Sequence, residues 1–253
     1  MRNFIILSKY QTLLLSRNLK STLIGFSLPI LMFFIFSNLL GQYKVEESNL
    51  SIVEYLVPAY IPIIIINAVL VIFGQQYILY KEQGNLLKYK LLGLTSFTVA
   101  ASIYLATIVF QLLASVTLIL FAFLLKGVVF PFDNTLSLLG GFFLINLFQF
   151  ALTVFIVSII HKSTTYQPVA FMLFYYQMFL GGLTFPPEMF PDFLRKLMYI
   201  FNPIIYGLEI MRGVWVDGKV LFSFIKEISL LISISVVLII ISILLNKKNK
   251  NTL

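Results

Sequence analysis

Residues Leu56–Leu79 read LVPAYIPIIIINAVLVIFGQQYIL, a stretch without a single Asp, Glu, Lys, Arg or His. A helix needs about 20 consecutive apolar residues to cross the hydrocarbon core of a bilayer. This stretch is long enough for that, and it would bring no charged side chain into lipid. It is therefore predicted to be a membrane-spanning helix.

The rest of the chain repeats this pattern, which decides the fold class. Of the 253 residues, 60% are hydrophobic and only 11% are charged. A soluble domain of this length cannot cover so much apolar surface with polar groups. The sequence predicts an all-α polytopic membrane protein with about six transmembrane helices in a single domain over residues 1–253. The predicted spans are residues 21–40, 56–79, 98–125, 136–160, 166–185 and 228–245.

The basic residues are unevenly distributed between the loops, and this predicts the orientation. They concentrate in the N-terminal stretch, in the loops after the second and fourth predicted spans, and at the C-terminus. Positively charged loops stay on the cytoplasmic side, so we expect both termini in the cytoplasm and the chain in the plasma membrane of a bacterium. Anionic lipid headgroups account for the net charge of +8, and nucleic acid is not an expected partner.

Residues 1–20 are predicted to form a helix on the inner membrane surface. At about 100° per residue, their four basic side chains fall in one sector about 80° wide. These are Arg2, Lys9, Arg17 and Lys20. The pattern is typical of an interfacial amphipathic helix, although a basic segment in solvent also fits it.

Several classes of function lack the residues that they need. The sequence has no cysteine, no charged residue or histidine inside the predicted spans, and no G-x-x-x-x-G-K-[ST] phosphate loop. Thiolate metal sites are therefore excluded, and proton relays or catalysis within the membrane are disfavoured. We expect no catalytic residue, metal or cofactor in this chain, and it cannot bind ATP through such a loop.

Two predicted spans carry polar stripes, each on one helical face. The residues are Thr107, Gln111 and Ser115 in the third span and Asn146, Gln149 and Thr153 in the fourth. Hydrogen bonding between helices explains such residues. The wall of a translocation path is the functional alternative, and the sequence leaves both open.

The loop over residues 80–97, between the second and third predicted spans, is basic and unusually rich in leucine. Gly84 can end the helix that leaves the membrane, and Asn85 can cap a new one. A short helix carrying Leu86 and Leu87 would then lie at the membrane surface. It would either dip into lipid or fit a groove on a soluble partner.

The loop over residues 186–223, before the last predicted span, contains two candidate short helices. The first follows Pro191, and the second has Asn202 as its cap, Pro203 in its first turn and an end near Val214. Both are too short to span the bilayer. They are predicted to dip back into the outer leaflet or to lie across it.

Both loops resemble the permease subunits of the type-2 ABC exporter family. In that family a basic residue, Glu, any residue and Gly follow the second span, and a helix starts next. Here these positions are Lys81, Glu82, Gln83, Gly84 and Asn85. The family pattern at the fifth span is a small residue and Gly, then three spaced prolines and an Arg, which fall here on Gly181, Gly182, Pro186, Pro191, Pro203 and Arg212. Two departures are that Gly93-Leu94 replaces a Thr or Ser followed by Pro, and that Gly181 replaces a Ser.

The resemblance covers nearly all of the chain and implies how it would work. It implies a coupling helix that contacts an ABC ATPase, with six coupling residues: Lys81, Glu82, Gly84, Asn85, Leu86 and Leu87. It implies a complex of two ATPase copies with two permease halves, identical or homologous, in which ATP and Mg²⁺ bind to the ATPase. The chain itself would be a transport subunit and not an enzyme.

The loop over residues 186–223, which is predicted to lie outside, suggests a gate, and the composition suggests the class of substrate. Glu209 and Arg212 are spaced i, i+3 and can pair, and we expect the pair to hold the outer gate shut. The 26 Phe and 13 Tyr suit a hydrophobic or amphipathic substrate such as a drug, antibiotic or peptide. A polysaccharide or lipid exporter is the alternative, and an ion-coupled secondary transporter is a further one.

Overall fold

The computed structural model describes residues 2–17, 19–39, 41, 52–185 and 187–250. These residues form helices and no strand, which confirms the predicted all-α class. The helices are α1 (Arg2–Arg17), α2 (Leu19–Leu39), α3 (Ile52–Ile66), α4 (Gly74–Glu82), α5 (Asn85–Leu91), α6 (Ser96–Lys126), α7 (Thr135–Ile159), α8 (Ser163–Leu180), α9 (Asp192–Phe201), α10 (Ile204–Trp215) and α11 (Ile225–Lys250). Short 3₁₀ turns precede α7, α9 and α11.

The centre of the bundle is one continuous helix made of α3, a π-helical stretch (Asn67–Phe73) and α4. Every residue from Leu56 to Leu70 is buried, because α2, α6, α7, α8 and α10 all pack on this central helix. A helix that is apolar all round belongs in such a position.

Hydrogen bonds to two neighbouring helices hold the π-helical stretch. The Tyr166 hydroxyl of α8 donates a 2.6 Å hydrogen bond to the Leu70 carbonyl, and the Asn67 amide donates one of 2.6 Å to the Gly25 carbonyl of α2. Tyr166 also lies so close to Gly74 that a β-carbon there would overlap the hydroxyl. The stretch is therefore bonded to α2 on one side and to α8 on the other.

Four helical segments are long and apolar enough to cross a membrane: Val53–Glu82, Ser96–Lys126, Phe132–Ile159 and Leu221–Lys247. They coincide with the second, third, fourth and sixth predicted spans, and Gly25–Leu39 is a shorter apolar helix within the first. The structure thus fits a polytopic membrane protein, and the count of six spans stays a prediction.

The fifth predicted span corresponds to α8, which ends at Leu180 rather than at Phe185. The reason is the glycine pair that follows it. Gly182 has a φ of +71°, a left-handed conformation that ends helices and that glycine adopts without a steric penalty.

The remaining helices pack around this centre. α1 lies against α6, and α11 lies along α7. α10 is almost entirely buried between α3, α7 and α11. α9 buries Met198 and exposes Phe193, Ile200 and Phe201. The predicted position of α1 on the membrane surface and the predicted dip of the outer helices into lipid stay predictions.

Candidate functional site

The first candidate site is the turn that separates α5 from the central helix. Gly84 has a φ of +71°, and its carbonyl accepts hydrogen bonds from the amides of Leu87 and Lys88. Gly84 is therefore the N-cap residue of α5, and the predicted helix break at this position is confirmed. The prediction that Asn85 caps α5 is wrong. Asn85 is the first helical residue, and its side chain bonds to Gln83 and Lys88 instead.

α5 has one face against the bundle and one face without a neighbour among the described residues. Leu86 packs on the core, and Tyr89 stacks on Tyr80 of α4 with the ring centroids 6.2 Å apart. The other face forms a leucine patch. Its exposed fractions are 62% for Leu87, 82% for Leu91 and 72% for Leu92.

Lys81 and Glu82, the last two residues of α4, bind the ends of two other helices. The Lys81 ammonium donates a 2.9 Å hydrogen bond to the Val157 carbonyl near the end of α7, and it lies 3.3 Å from His161 Nδ1. The Glu82 carboxylate accepts a 2.9 Å hydrogen bond from the Ser163 amide, the first of α8. Both partners are backbone groups that a helix end leaves unpaired. We call this pair of contacts the Lys81–Glu82 clamp.

The charges of the clamp suit the helix ends that they contact. A carboxylate is favoured at a helix N-terminus and an ammonium at a C-terminus. The hydrogen bonds from Ser163, together with the charge of Lys162, hold the pKa of Glu82 below its ordinary value of 4.5. The carboxylate contact is therefore complete above about pH 4.5 and is lost only as the pH falls through the lowered pKa. Partial burial lowers the pKa of Lys81.

Helix α1 also contacts α4. The buried Gln11 of α1 accepts hydrogen bonds from Gln76 at 3.2 Å and from the Tyr80 hydroxyl at 3.4 Å. Nothing in the sequence marks Gln11 for this role. The turn at Gly84 is thus bordered by α1, α7 and α8.

The polar stripe of α6 faces inward. Thr107, Gln111 and Ser115 are all buried. Thr107 donates to the Tyr104 carbonyl of its own helix. The amide of Gln111 and the hydroxyl of Ser115 have no hydrogen-bond partner among the described residues. The stripe therefore contributes no bond between helices there, and its role as a pathway stays a prediction.

The polar stripe of α7 does bond to other helices. Asn146 accepts from the Tyr104 hydroxyl of α6 at 3.1 Å, and the Gln149 side-chain amide donates to the side-chain oxygen Oε1 of Gln177 in α8 at 2.5 Å. Thr153, on the same face, is buried. Two of the three residues thus have the role expected of polar groups between membrane helices. Gln177 was not predicted from the sequence, although a polar residue in an apolar span is a signal for such a role.

The second candidate site is the loop after α8, which the sequence predicts to lie outside and which we call the outer loop. Gly181 and Gly182 end α8, Pro191 is the N-cap of α9, and Pro203 is the N-cap of α10. Pro186 lies outside the described residues. α10 ends at Trp215, one residue beyond its predicted end. Its predicted cap, Asn202, instead donates a 3.4 Å hydrogen bond to the Tyr176 carbonyl of α8.

Glu209 and Arg212 both lie in α10 and contact other parts of the outer loop. The Tyr199 hydroxyl of α9 donates to the Glu209 carboxylate at 2.5 Å. The buried Arg212 donates to the Gly182 carbonyl at 3.0 Å, and its guanidinium lies 3.8 Å from the centroid of the Tyr55 ring. Pairing between Glu209 and Arg212 stays a prediction.

The two candidate sites lie at opposite ends of the central helix. Arg212 contacts its beginning at Tyr55, and the clamp lies at its end at Glu82. At 1.5 Å per residue, the central helix separates them by about 40 Å. That distance equals the thickness of a bilayer with its headgroups, about 40–45 Å.

A family model described as ABC-2 type transporter matches residues 2–216 of the chain. The chain belongs to this family. The match includes α5, the clamp and the outer loop through α10. No match was found among curated proteins.

Membership in the ABC-2 type transporter family establishes the general role. The chain is a membrane component for transport, and the family implies an ABC ATPase as a separate subunit. The resemblance inferred from the two loops is thereby confirmed. In this ABC-2 chain the structure also joins residues that are far apart in the sequence. It brings Lys81 and Glu82 to the connection between α7 and α8, and it brings Gly182 to Arg212.

Proposed function

We propose that the chain is the permease subunit of an ATP-driven ABC exporter that moves a hydrophobic or amphipathic substrate out of the cell. Two copies of a separate ATPase bind ATP and Mg²⁺, and two permease halves, identical or homologous, form the path. The complex resides in the plasma membrane of a bacterium with both termini of this chain in the cytoplasm.

The observation that carries the proposal is the leucine patch on α5. Leu87, Leu91 and Leu92 lie together at that end of the central helix, and each is more than half exposed among the described residues. Lys88 and Lys90 flank them. A rim of charge around exposed apolar side chains is typical of a surface that docks a protein. We assign this patch to the groove of the ATPase.

The Lys81–Glu82 clamp supplies the mechanical link in this proposal. When the ATPase pulls on α5, the clamp transmits the movement to the end of α7 and the start of α8, because it is bonded to the backbone of both. The turn at Gly84 sets the angle at which the force enters α4. Asn85 and Leu86 hold the base of α5 in this arrangement.

The outer loop is the proposed exit gate. Arg212 bonds to the glycine turn after α8 and covers Tyr55 of α3, so a tilt of α8 changes the contacts of α10. Glu209 joins α10 to α9 through Tyr199. In the proposal, the polar stripes of α6 and α7 line part of the path, with the unbonded amide of Gln111 as one contact for substrate.

The cargo class follows from what the spans contain. They carry many Phe and Tyr side chains and no charge, which favours apolar or amphipathic molecules such as a drug, an antibiotic or a peptide. A polysaccharide or lipid cargo remains the second candidate, and a deletion strain tests the difference. We expect it to become sensitive to hydrophobic antibiotics or antimicrobial peptides while its surface polysaccharide stays normal. The reverse result would select the second candidate.

The reconstituted complex tests the mechanism. The chain and its ATPase are placed in vesicles, and uptake of a fluorescent hydrophobic dye into inside-out vesicles is followed with ATP. We expect no transport with an ATPase whose phosphate loop lysine is replaced. Transport that needs only an ion gradient, with no ATPase present, would establish a secondary carrier instead.

Reporter fusions after Leu253 and within Glu46–Asn49 should report opposite sides of the membrane.

A further inference from the structure

An apolar groove runs between α2 and α6 on the outside of the bundle. Its volume is about 570 Å³, within the range of about 300–1,000 Å³ that small-molecule sites occupy. Its walls are almost wholly apolar, with Phe34, Leu113 and Phe121 among them. It opens on the outside of the bundle, and it is separate from both candidate sites.

The groove is closed at each end by a pair of side chains. At one end Phe26 stacks on Phe110 with the ring centroids 5.8 Å apart. At the other end the Lys126 ammonium donates a 2.7 Å hydrogen bond to the Asn38 side-chain oxygen. From Phe26 to Asn38 the groove extends about 18 Å along α2. That length is slightly more than half of the hydrocarbon core, which is about 30 Å thick. The groove therefore has the length of one leaflet.

Lys126 directly follows the third predicted span, so we expect the Lys126 end of the groove at the level of the lipid headgroups. Lys126 is the last residue of α6, a helix that begins just after α5 and crosses the whole bundle. The groove thus occupies the leaflet on the side opposite α5. Among the described residues the only hydrogen-bond partner of the ammonium is the neutral amide of Asn38, and no Asp or Glu lines the groove. A cation at the mouth of an apolar groove is complementary to an anionic group attached to a hydrocarbon chain.

We propose that this groove binds an anionic phospholipid of the outer leaflet, with one acyl chain between α2 and α6 and the phosphate on Lys126. The phosphate adds a charged acceptor to a lysine whose acceptor among the described residues is neutral. The aromatic pair Phe26–Phe110 limits how deep the chain can enter. A second copy of this chain is a different occupant, and the experiment distinguishes it.

The test measures lipid binding to the purified full chain by native mass spectrometry. Delipidated protein is titrated with phosphatidylglycerol and, separately, with phosphatidylcholine of the same acyl chains. We expect phosphatidylglycerol to occupy one site more tightly. Lys126→Gln should weaken it about fivefold, the effect of one cation near a headgroup, and Lys126→Arg should retain it. Lys226→Gln, an exposed lysine at the start of α11, is the matched control and should change nothing.

A second variant tests the acyl chain. Thr117 is an exposed residue of the groove wall, so Thr117→Phe fills the groove without disturbing the core, and it should weaken both lipids. Val116→Phe adds the same ring one position away, outside the groove, and should weaken neither. Equal binding of the two lipids, or unchanged binding in Lys126→Gln, would overturn the proposal. So would a Thr117→Phe chain that loses dimers while it retains lipid, because the groove would then be covered by a second copy.

Discussion

The turn at Gly84 offers the sharpest test of how α5 is coupled to the bundle. Apart from its own neighbours, no atom of the described residues lies within 4 Å of a β-carbon built on Gly84, so a substitution there meets no steric obstacle in this chain. The cost of a substitution comes instead from the backbone conformation, because φ is +71° at this position. A residue with a β-carbon is destabilised by about 1–2 kcal/mol in the left-handed region. Asn tolerates that region, whereas β-branched Val is an outlier there.

These magnitudes predict an order of activity for the Gly84 variants. A cost of about 1–2 kcal/mol lowers the population of the correct turn about 5–30-fold. We expect ATP-dependent transport in the reconstituted complex to be near normal for Gly84→Asn, lower for Gly84→Ala and Gly84→Leu, and lowest for Gly84→Val. Membrane insertion should be unchanged in all of them.

The matched control is Gly127, which follows α6 at the opposite end of the bundle. It has a φ of +68° and the same open surroundings, so Gly127→Val carries the same local cost away from α5. Equal transport by the Asn and Val variants of Gly84 would refute the reasoning. An equal loss in Gly127→Val would show general damage to the fold. If Gly84→Asn fails as badly as Gly84→Val, the side chain collides with the ATPase and the backbone is not the cause.

Three further predictions concern single contacts. Glu82→Ala removes the acceptor of the Ser163 amide and should uncouple ATP hydrolysis from transport. Glu82→Gln keeps an acceptor and should retain part of the coupling, so identical behaviour of the two variants would contradict the capping role. Glu209→Arg and Arg212→Glu should each impair export or leak substrate, and the double variant should recover part of the activity. Normal export by the single variants would contradict the proposed role of the pair in the gate. Tyr166→Phe deletes the bond to the π-helical stretch and should destabilise the purified chain by about 0.5–1.5 kcal/mol; an unchanged thermal midpoint would show that the bond contributes nothing.

Much of the fold could be predicted because lipid imposes simple requirements on sequence. Uncharged segments of spanning length identified the long helices, because a single apolar segment in lipid satisfies its own backbone hydrogen bonds only as a helix. The break at Gly84 was predictable for a local reason, since only a few residue types adopt a positive φ. The fifth span was predicted to end at Phe185, five residues after α8 ends. Gly182 also has a positive φ, so the helix end was predictable by the same argument as the break at Gly84. Residues 183–185 hid it, because they extend the apolar segment.

For the candidate sites, the sequence predicted the residues but not their partners. The sequence marks Lys81 and Glu82 as charges next to a helix break, but their partners, Val157 and Ser163, are remote in the chain. A charge pattern shows which side chain needs a partner and not which backbone group supplies it. The prediction of the N-cap residue of α5 was wrong for a related reason. A glycine that forms the turn also takes the cap position, which leaves Asn85 to bond with its neighbours.

By itself, the sequence determined which segments leave water, where the chain must turn sharply, and that these 253 residues contain no phosphate loop for ATP. Only the tertiary structure decided that the central helix is enclosed by protein, that α10 is buried rather than peripheral, and that a leaflet-long groove remains open between α2 and α6. The physical reason is that side chains packed against lipid and side chains packed against other helices are equally apolar. Composition therefore identifies the segments that avoid water, and packing alone decides which of their faces avoid lipid as well.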